Sequence, residues 1–157
     1  MRLKAVLTAA VALLALAGCR QPVPDVTVFT SGRATDLTAT TYCFSVDAAA
    51  ANRCRSTDSP PRAIKVRDEQ PVSIDVPSEL HHTPWVVVLS IPGTHTAQRS
   101  EYQVDKTHLT FTPDFRTSPR ILAEVVGYTS NGQAVRPTGL WRFLLVQDAK
   151  NRTQSGS

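Results

Sequence analysis

With 157 residues, 41% of them hydrophobic, and no long low-complexity block, the chain has the material for one cored domain and is not a disordered polypeptide. Its formal charge is +4, and it falls to +2 without Arg2 and Lys4, which belong to a leader segment described below. So weak a balance gives no concentrated basic face for nucleic acid.

The chain opens MRLKAVLTAAVALLALAGC. Arg2 and Lys4 make a positive start, and Ala5 through Leu16 is an almost unbroken apolar run. Leu16-Ala17-Gly18 then leads into Cys19. The order is that of a secretory signal. The apolar segment falls short of the roughly 20 residues a spanning helix needs, which argues against a retained membrane anchor. An ordinary signal peptide wants small residues at −3 and −1, whereas here −3 is Leu16 and +1 is Cys19. This ending resembles the lipobox of bacterial lipoproteins. The resemblance implies that residues 1–18 are removed and that Cys19 becomes an acylated N-terminus. The rest is then an exported domain held on the extracytoplasmic face of the cell membrane.

Residues 19–25 read as the acylated cysteine and a short tether, stiffened by Pro22 and Pro24. Six extended residues reach only about 20 Å. Val26 to Thr30 is a β-branched and aromatic strand broken by Ser31-Gly32. Leu37 to Tyr42 is a second such run and is expected to pair with the first as a hairpin. Cys43 and Cys54 are an even pair in an oxidising compartment. A disulfide between them closes a loop of about 12 residues, worth roughly 3 kcal/mol. The alternatives are a metal pair, poorly served by this spacing without a nearby His, or two free thiols. Asp47 to Asn52 can make one helical turn with Asp47 as N-cap.

Arg53, Arg55, Arg62, Lys65 and Arg67 share a fifteen-residue segment with a single acid, Asp58. It is the densest positive stretch of the chain and a candidate contact for anionic phospholipid or an acidic envelope polymer. The alternative is a solvated face compensated by acids from elsewhere. Ala63 to Val66 and Val72 to Val76 alternate as half-buried strands. Trp85 to Ile91 is apolar on both faces and predicts an inner strand. Glu101 to Val104, Thr107 to Thr112, Ile121 to Tyr128 and Leu140 to Val146 are further strands, with Asn131-Gly132 as a hairpin turn before the last. Residues 148–157 read as a frayed tail.

Eight or nine short strands without a long amphipathic helix predict an all-β antiparallel β-sandwich over residues 26–147, immunoglobulin-like or fibronectin-like, with a small barrel second. The cysteine spacing does not fit the inter-sheet disulfide of immunoglobulin domains, so Cys43 and Cys54 would staple a local loop. The lipobox, the PDVTVFTSG strand, the Cys43/Cys54 pair, PVSIDVPSEL and PWVVVLS together resemble an actinobacterial family of small lipoproteins defined only as a domain of unknown function. That resemblance spans most of the mature chain and implies location and fold. It transfers no catalytic residue.

The candidate sites are sparse. His81, His82, His95 and His108 could bind Zn or Cu, but adjacent histidines on an extended chain point apart and no acids or thiols cluster at ligand spacing. No metal or other cofactor is expected. The chain lacks G-x-S-x-G and H-E-x-x-H, and no catalytic residue is assigned. Trp85, Trp141, Tyr102 and Tyr128 could form a sugar platform, yet both tryptophans sit in apolar runs that mark core. Asn151-Arg152-Thr153 matches a glycosylation sequon and is read as chance. The expectation is therefore a non-enzymatic envelope interaction module, membrane-held through Cys19, with an envelope protein or polymer as partner. A lipoprotein that binds a metal, lipid or glycan is the second reading.

Overall fold

The β-branched run at the start of the domain turns back on itself at Ser31-Gly32, where both residues have positive φ, 50° and 73°. Such a pair suits a tight two-residue hairpin turn. β1 (Asp25–Thr30) thereby pairs with β2 (Arg33–Thr38) over six positions. The computed structural model describes residues 21–130, 132 and 135–148. The leader 1–18, Cys19, the tail from 149 with its sequon, and Asn131 and Gln133 of the last turn lie outside the described residues.

The hairpin partner starts at Arg33, not at Leu37 as the run of threonines suggested. After Thr38 the chain crosses to the other sheet, and Thr41–Tyr42 forms β3 there. A short helix α1 (Val46–Ala50) follows, capped by Ser45 rather than Asp47: the Ser45 hydroxyl accepts the Ala48 N–H at 3.0 Å, and Asp47 falls in the first turn. β4 (Arg55–Ser56) returns beside β3, and the Cys43–Cys54 disulfide bridges the two. The remaining strands are β5 (Arg62–Val66), β6 (Val72–Asp75), β7 (Trp85–Ser90), β8 (Ala97–Arg99), β9 (His108–Phe111), β10 (Arg120–Ser130) and β11 (Val135–Gln147).

These strands make two sheets. The smaller runs β2-β1-β6-β9; the larger runs β4-β3-β11-β10-β7-β8, with β5 also pairing β11. β6 and β9 face β7, β10 and β11 as strands B and E face C, F and G in an immunoglobulin-like sandwich. All pairings are antiparallel except β5 on β11, which is parallel. The expected strand at Glu101–Val104 is only a bridge from Gln103 to Trp85, while Ala97–Arg99 forms a strand that has no apolar alternation to announce it.

The core lies between the sheets. Val26, Val28, Val72 and Ile74 from one side meet Trp85, Val125, Trp141, Phe143 and Leu145 from the other, all fully buried. Both tryptophans are core residues whose N–H groups are satisfied: Trp85 donates to the Lys106 carbonyl at 2.7 Å and Trp141 to the Pro24 carbonyl at 3.0 Å. β7 is buried on both faces only over Trp85, Val86 and Val87, and becomes half-buried from Val88 onward.

Candidate functional site

The two sheets present outward faces of opposite character. Register places Thr27, Asp36, Asp75 and His108 in one outward row of the small sheet, and Ala34, Phe29, Ser73 and Thr110 in the next. This face is polar apart from Ala34 and Phe29, as the solvated side of an antiparallel sheet should be. His108 contacts Asp75 through Nδ1 and Thr110 Oγ1 through Nε2 at 2.9 Å, and Thr110 reaches Ser73 Oγ at 2.9 Å. Carboxylate, imidazole and hydroxyl in series are the parts of a nucleophilic site. Here they stand on a flat sheet with His108 and Asp75 54% and 44% exposed, and they line none of the grooves described below. They read as a solvated cross-strand network.

The large sheet breaks the rule. Its outward rows read Ser90-Leu122-Leu144-Ala63, then Arg99-Val88-Glu124-Arg142, then Val86-Val126-Leu140. Val88, Leu122, Val126, Leu140, Leu144 and Val146 are half-buried, and none belongs to the inter-sheet core. In their midst Glu124 Oε1 and Arg142 Nε lie 2.8 Å apart. The pair is ionic by distance, but the Nε–H is not aligned for a hydrogen bond, and among the described residues that buried atom has no other partner. At the β8 side the Arg99 guanidinium lies 4.6 Å over the Tyr102 ring, which meets Tyr128 edge-on. Burial first, and then Tyr102, push the Tyr128 phenol up, while Arg99 opposes them. So the four aromatics do not form one platform: two are core and two cluster on this outer face.

A groove of about 420 Å³ is cut where α1 and the disulfide overhang this face, its floor formed by Val126 and Leu140 and its wall by Ala49, Asn52, Cys43 and Cys54. A second, polar groove of about 630 Å³ is lined by Asp68, Glu69, Asp114, Phe115, Arg116 and Gln147, among others. There Arg116 clamps Asp114 with side-chain and backbone N–H donors, which lowers the Asp114 carboxyl from 3.8 to about 2.

The five cations of the basic segment are all exposed, and among the described residues none takes part in an ion pair. They follow one edge of the large sheet: Arg53 precedes β4, Arg55 lies on it, and Arg62, Lys65 and Arg67 lie on or just after β5. Arg55 stacks 4.9 Å over Phe44 and donates to the Gln21 carbonyl at 3.3 Å. With Val23 packed on the core and Pro24 bound by Trp141, the stretch expected to be a short, stiff tether is docked to the domain from Gln21 onward. Nothing local in the sequence marks this, because Pro24 and Trp141 are 117 positions apart.

His81 and His82 do bend together in a loop, ring centroids 4.4 Å apart, with His82 on Asp105 at 3.1 Å. Among the described residues no three His, Cys, Asp or Glu side chains converge on a point that could hold a metal ion. No helix among them is long and apolar enough to cross a membrane.

The sequence model of a family of proteins of unknown function, DUF2771, matches residues 20–130. The chain belongs to the DUF2771 family. No curated protein and no solved structure matches it. The DUF2771 match takes in the docked tether, the disulfide loop, the basic edge and every strand through β10. It ends where β10 ends; β11, which follows, ties β10 to β3 and β5.

Proposed function

We propose that this protein is a lipid-anchored interaction module of the cell envelope, acylated on Cys19 after loss of residues 1–18. It is held on the extracytoplasmic face and binds a protein partner without catalysis. The leader's order of charge, apolar run and Leu16-Ala17-Gly18-Cys19 supports the anchor and agrees with the small actinobacterial lipoproteins the chain resembles. The observation that carries the binding role is the contrast between the two outer faces. An antiparallel sheet that faces only water alternates apolar and polar residues. β7, β10 and β11 instead set six half-buried aliphatics on their outer face, around a Glu124–Arg142 pair and beside Arg99. Partly exposed aliphatics set side by side on an outer face, with a charged pair among them, support an interaction surface. Arg99 and Arg142 against one acid favour a partner that brings aliphatic side chains and a carboxylate.

Photo-crosslinking amino acids at Leu122 and Leu144, compared with Thr27 and Ser73 on the polar face, test this in intact cells. The large-sheet positions should capture one envelope protein, identified by mass spectrometry, and Leu122→Asp should abolish capture without lowering the melting temperature by more than a few degrees. Capture equal from both faces, or from neither, refutes the reading. The second reading, a lipid- or glycan-binding lipoprotein, draws on the groove beside the disulfide, whose Val126 and Leu140 floor is apolar. Ligand density or mass in that groove after purification from the envelope would favour it.

A further inference from the structure

We propose that the basic edge built by β4 and β5 lies flat on the anionic headgroups of the membrane, with Phe44 and Arg55 nearest the acylated cysteine. The proposal rests on the lipid-anchor reading above and adds to it a direction: which side of the domain faces the bilayer.

Two independent observations meet at Arg55. One is charge. Five exposed cations follow a single edge with Asp58 the only acid in their segment, and among the described residues none is neutralised by an ion pair. The other is where the chain enters the domain. Arg55 holds the Gln21 carbonyl, and Trp141 holds that of Pro24, so the tether is fixed from Gln21 onward. Cys19 stands two residues earlier. Two residues span at most about 7 Å, against a Debye length of about 8 Å at physiological salt. The Arg55 end of the edge therefore sits inside the membrane's field rather than at the end of a long arm. Phe44, 38% exposed beneath the Arg55 guanidinium, offers the headgroup region an aromatic ring at the same point.

The edge is long as well as charged. Arg55 is level with Gly139 through Tyr42, and Val66 is level with Gln147, so the cations extend along β11 from Gly139 to Gln147, eight residue steps. At strand rise that is about 27 Å. A domain standing upright on its anchor would leave Lys65 and Arg67 several Debye lengths from the surface. Arg62, level with core-facing Phe143 and donating to the Asp36 carbonyl at 3.5 Å, and Lys65, level with outward Val146, leave β5 on opposite sides, so only a domain lying on the edge itself brings both flanks to the headgroups, and attraction to each cation favours that pose. The competing explanation is that these cations only guard exposed edge strands against pairing with other chains. That role needs no lipid and predicts no dependence on lipid charge.

The test uses the full chain purified from the envelope and reconstituted into vesicles of phosphatidylcholine, or of phosphatidylcholine with phosphatidylglycerol. Arginines are modified with phenylglyoxal and read by peptide mass spectrometry. Arg53, Arg55, Arg62 and Arg67 should react severalfold more slowly in the anionic vesicles at low salt and lose that protection at high salt. Arg33 on β2 and Arg99 on β8 should react equally in both. Equal rates everywhere overturn the proposal, as does protection confined to Arg53 and Arg55, which means an upright domain. Protection by soluble polyphosphate but not by anionic vesicles also overturns it and assigns the edge to an envelope polymer. The same digest reads the anchor separately. An unmodified Cys19, in a chain that fails to float with neutral vesicles, refutes lipidation. Such a chain added to anionic vesicles still decides the edge: protected arginines keep the contact, and unprotected ones remove it.

Discussion

Gly139 lies directly across from Gly127 on the paired strands β10 and β11, and a Cβ at Gly139 would come within 2.4 Å of the Trp141 ring. That ring is fully buried and tied to Pro24, so it cannot step aside. Gly139→Ala is expected to cost about 1–3 kcal/mol by overpacking, measured by denaturant unfolding. Trp85→Ala removes a second fully buried ring from the same sheet and should cost about 3–5 kcal/mol in the same assay. Both tryptophans were legible as core because valines and leucines flank them; the demand for glycine at 139 was not, since it depends on how the Trp141 ring folds back over its own strand. Asp114 offers a test of charge at a single residue. Its carboxyl is held near 2 by Arg116, below its ordinary 3.8, so its contribution to the folded state is complete above 3.8 and is lost as pH falls toward 2. NMR titration should show that low midpoint, and Arg116→Ala should return it to the ordinary range.

At the scale of elements, the disulfide is the staple of the least regular stretch. It closes the β3-α1-β4 excursion, where two-residue strands and a five-residue helix have little packing of their own. Cys43→Ser with Cys54→Ser is expected to cost on the order of 2–4 kcal/mol. The change should also widen the groove that overhangs Val126 and Leu140, and faster hydrogen exchange confined to residues 43–56 would show this. The pair was readable from the count of cysteines and from the oxidising compartment that the leader's pattern implies. The inner strands β7, β10 and β11 were readable too, because runs such as Trp85-Val86-Val87-Val88-Leu89 leave no other place for so much apolar surface. What escaped the sequence was pairing. β8 is exposed at all three positions, so no alternation betrays it, and β5 finds β11 in parallel from some eighty residues away. Ser45 and Asp47 are both good helix caps. The structure uses Ser45, which leaves Asp47 in the first turn, where its charge still favours the helix N-terminus.

For the molecule as a whole, the least legible feature is how the chain enters the domain. Composition drew the boundary after Asp25 and made Arg20 to Asp25 a spacer. The structure instead makes Gln21 to Pro24 part of the fold: Val23 packs on the core, and the Pro24 carbonyl satisfies the N–H of a fully buried tryptophan. That contact links the chain entry to β11, the strand that holds β3, β5 and β10 together. A spacer can be cut without consequence, whereas a docked segment cannot. A chain beginning at Asp25 should therefore be less stable than one beginning at Arg20. An orphaned buried N–H costs about 1–3 kcal/mol, and the half-buried Val23 adds up to about 1 kcal/mol more. Thermal unfolding of the two chains side by side decides it. Equal melting temperatures would return Gln21 to Pro24 to the role of a stiff tether that adds nothing to the fold. A lower one for the shorter chain means that residues 21–24 and the sandwich unfold as one unit. With the lipid anchor proposed above on Cys19, a docked entry would leave the basic edge close to the bilayer, as the orientation proposal requires.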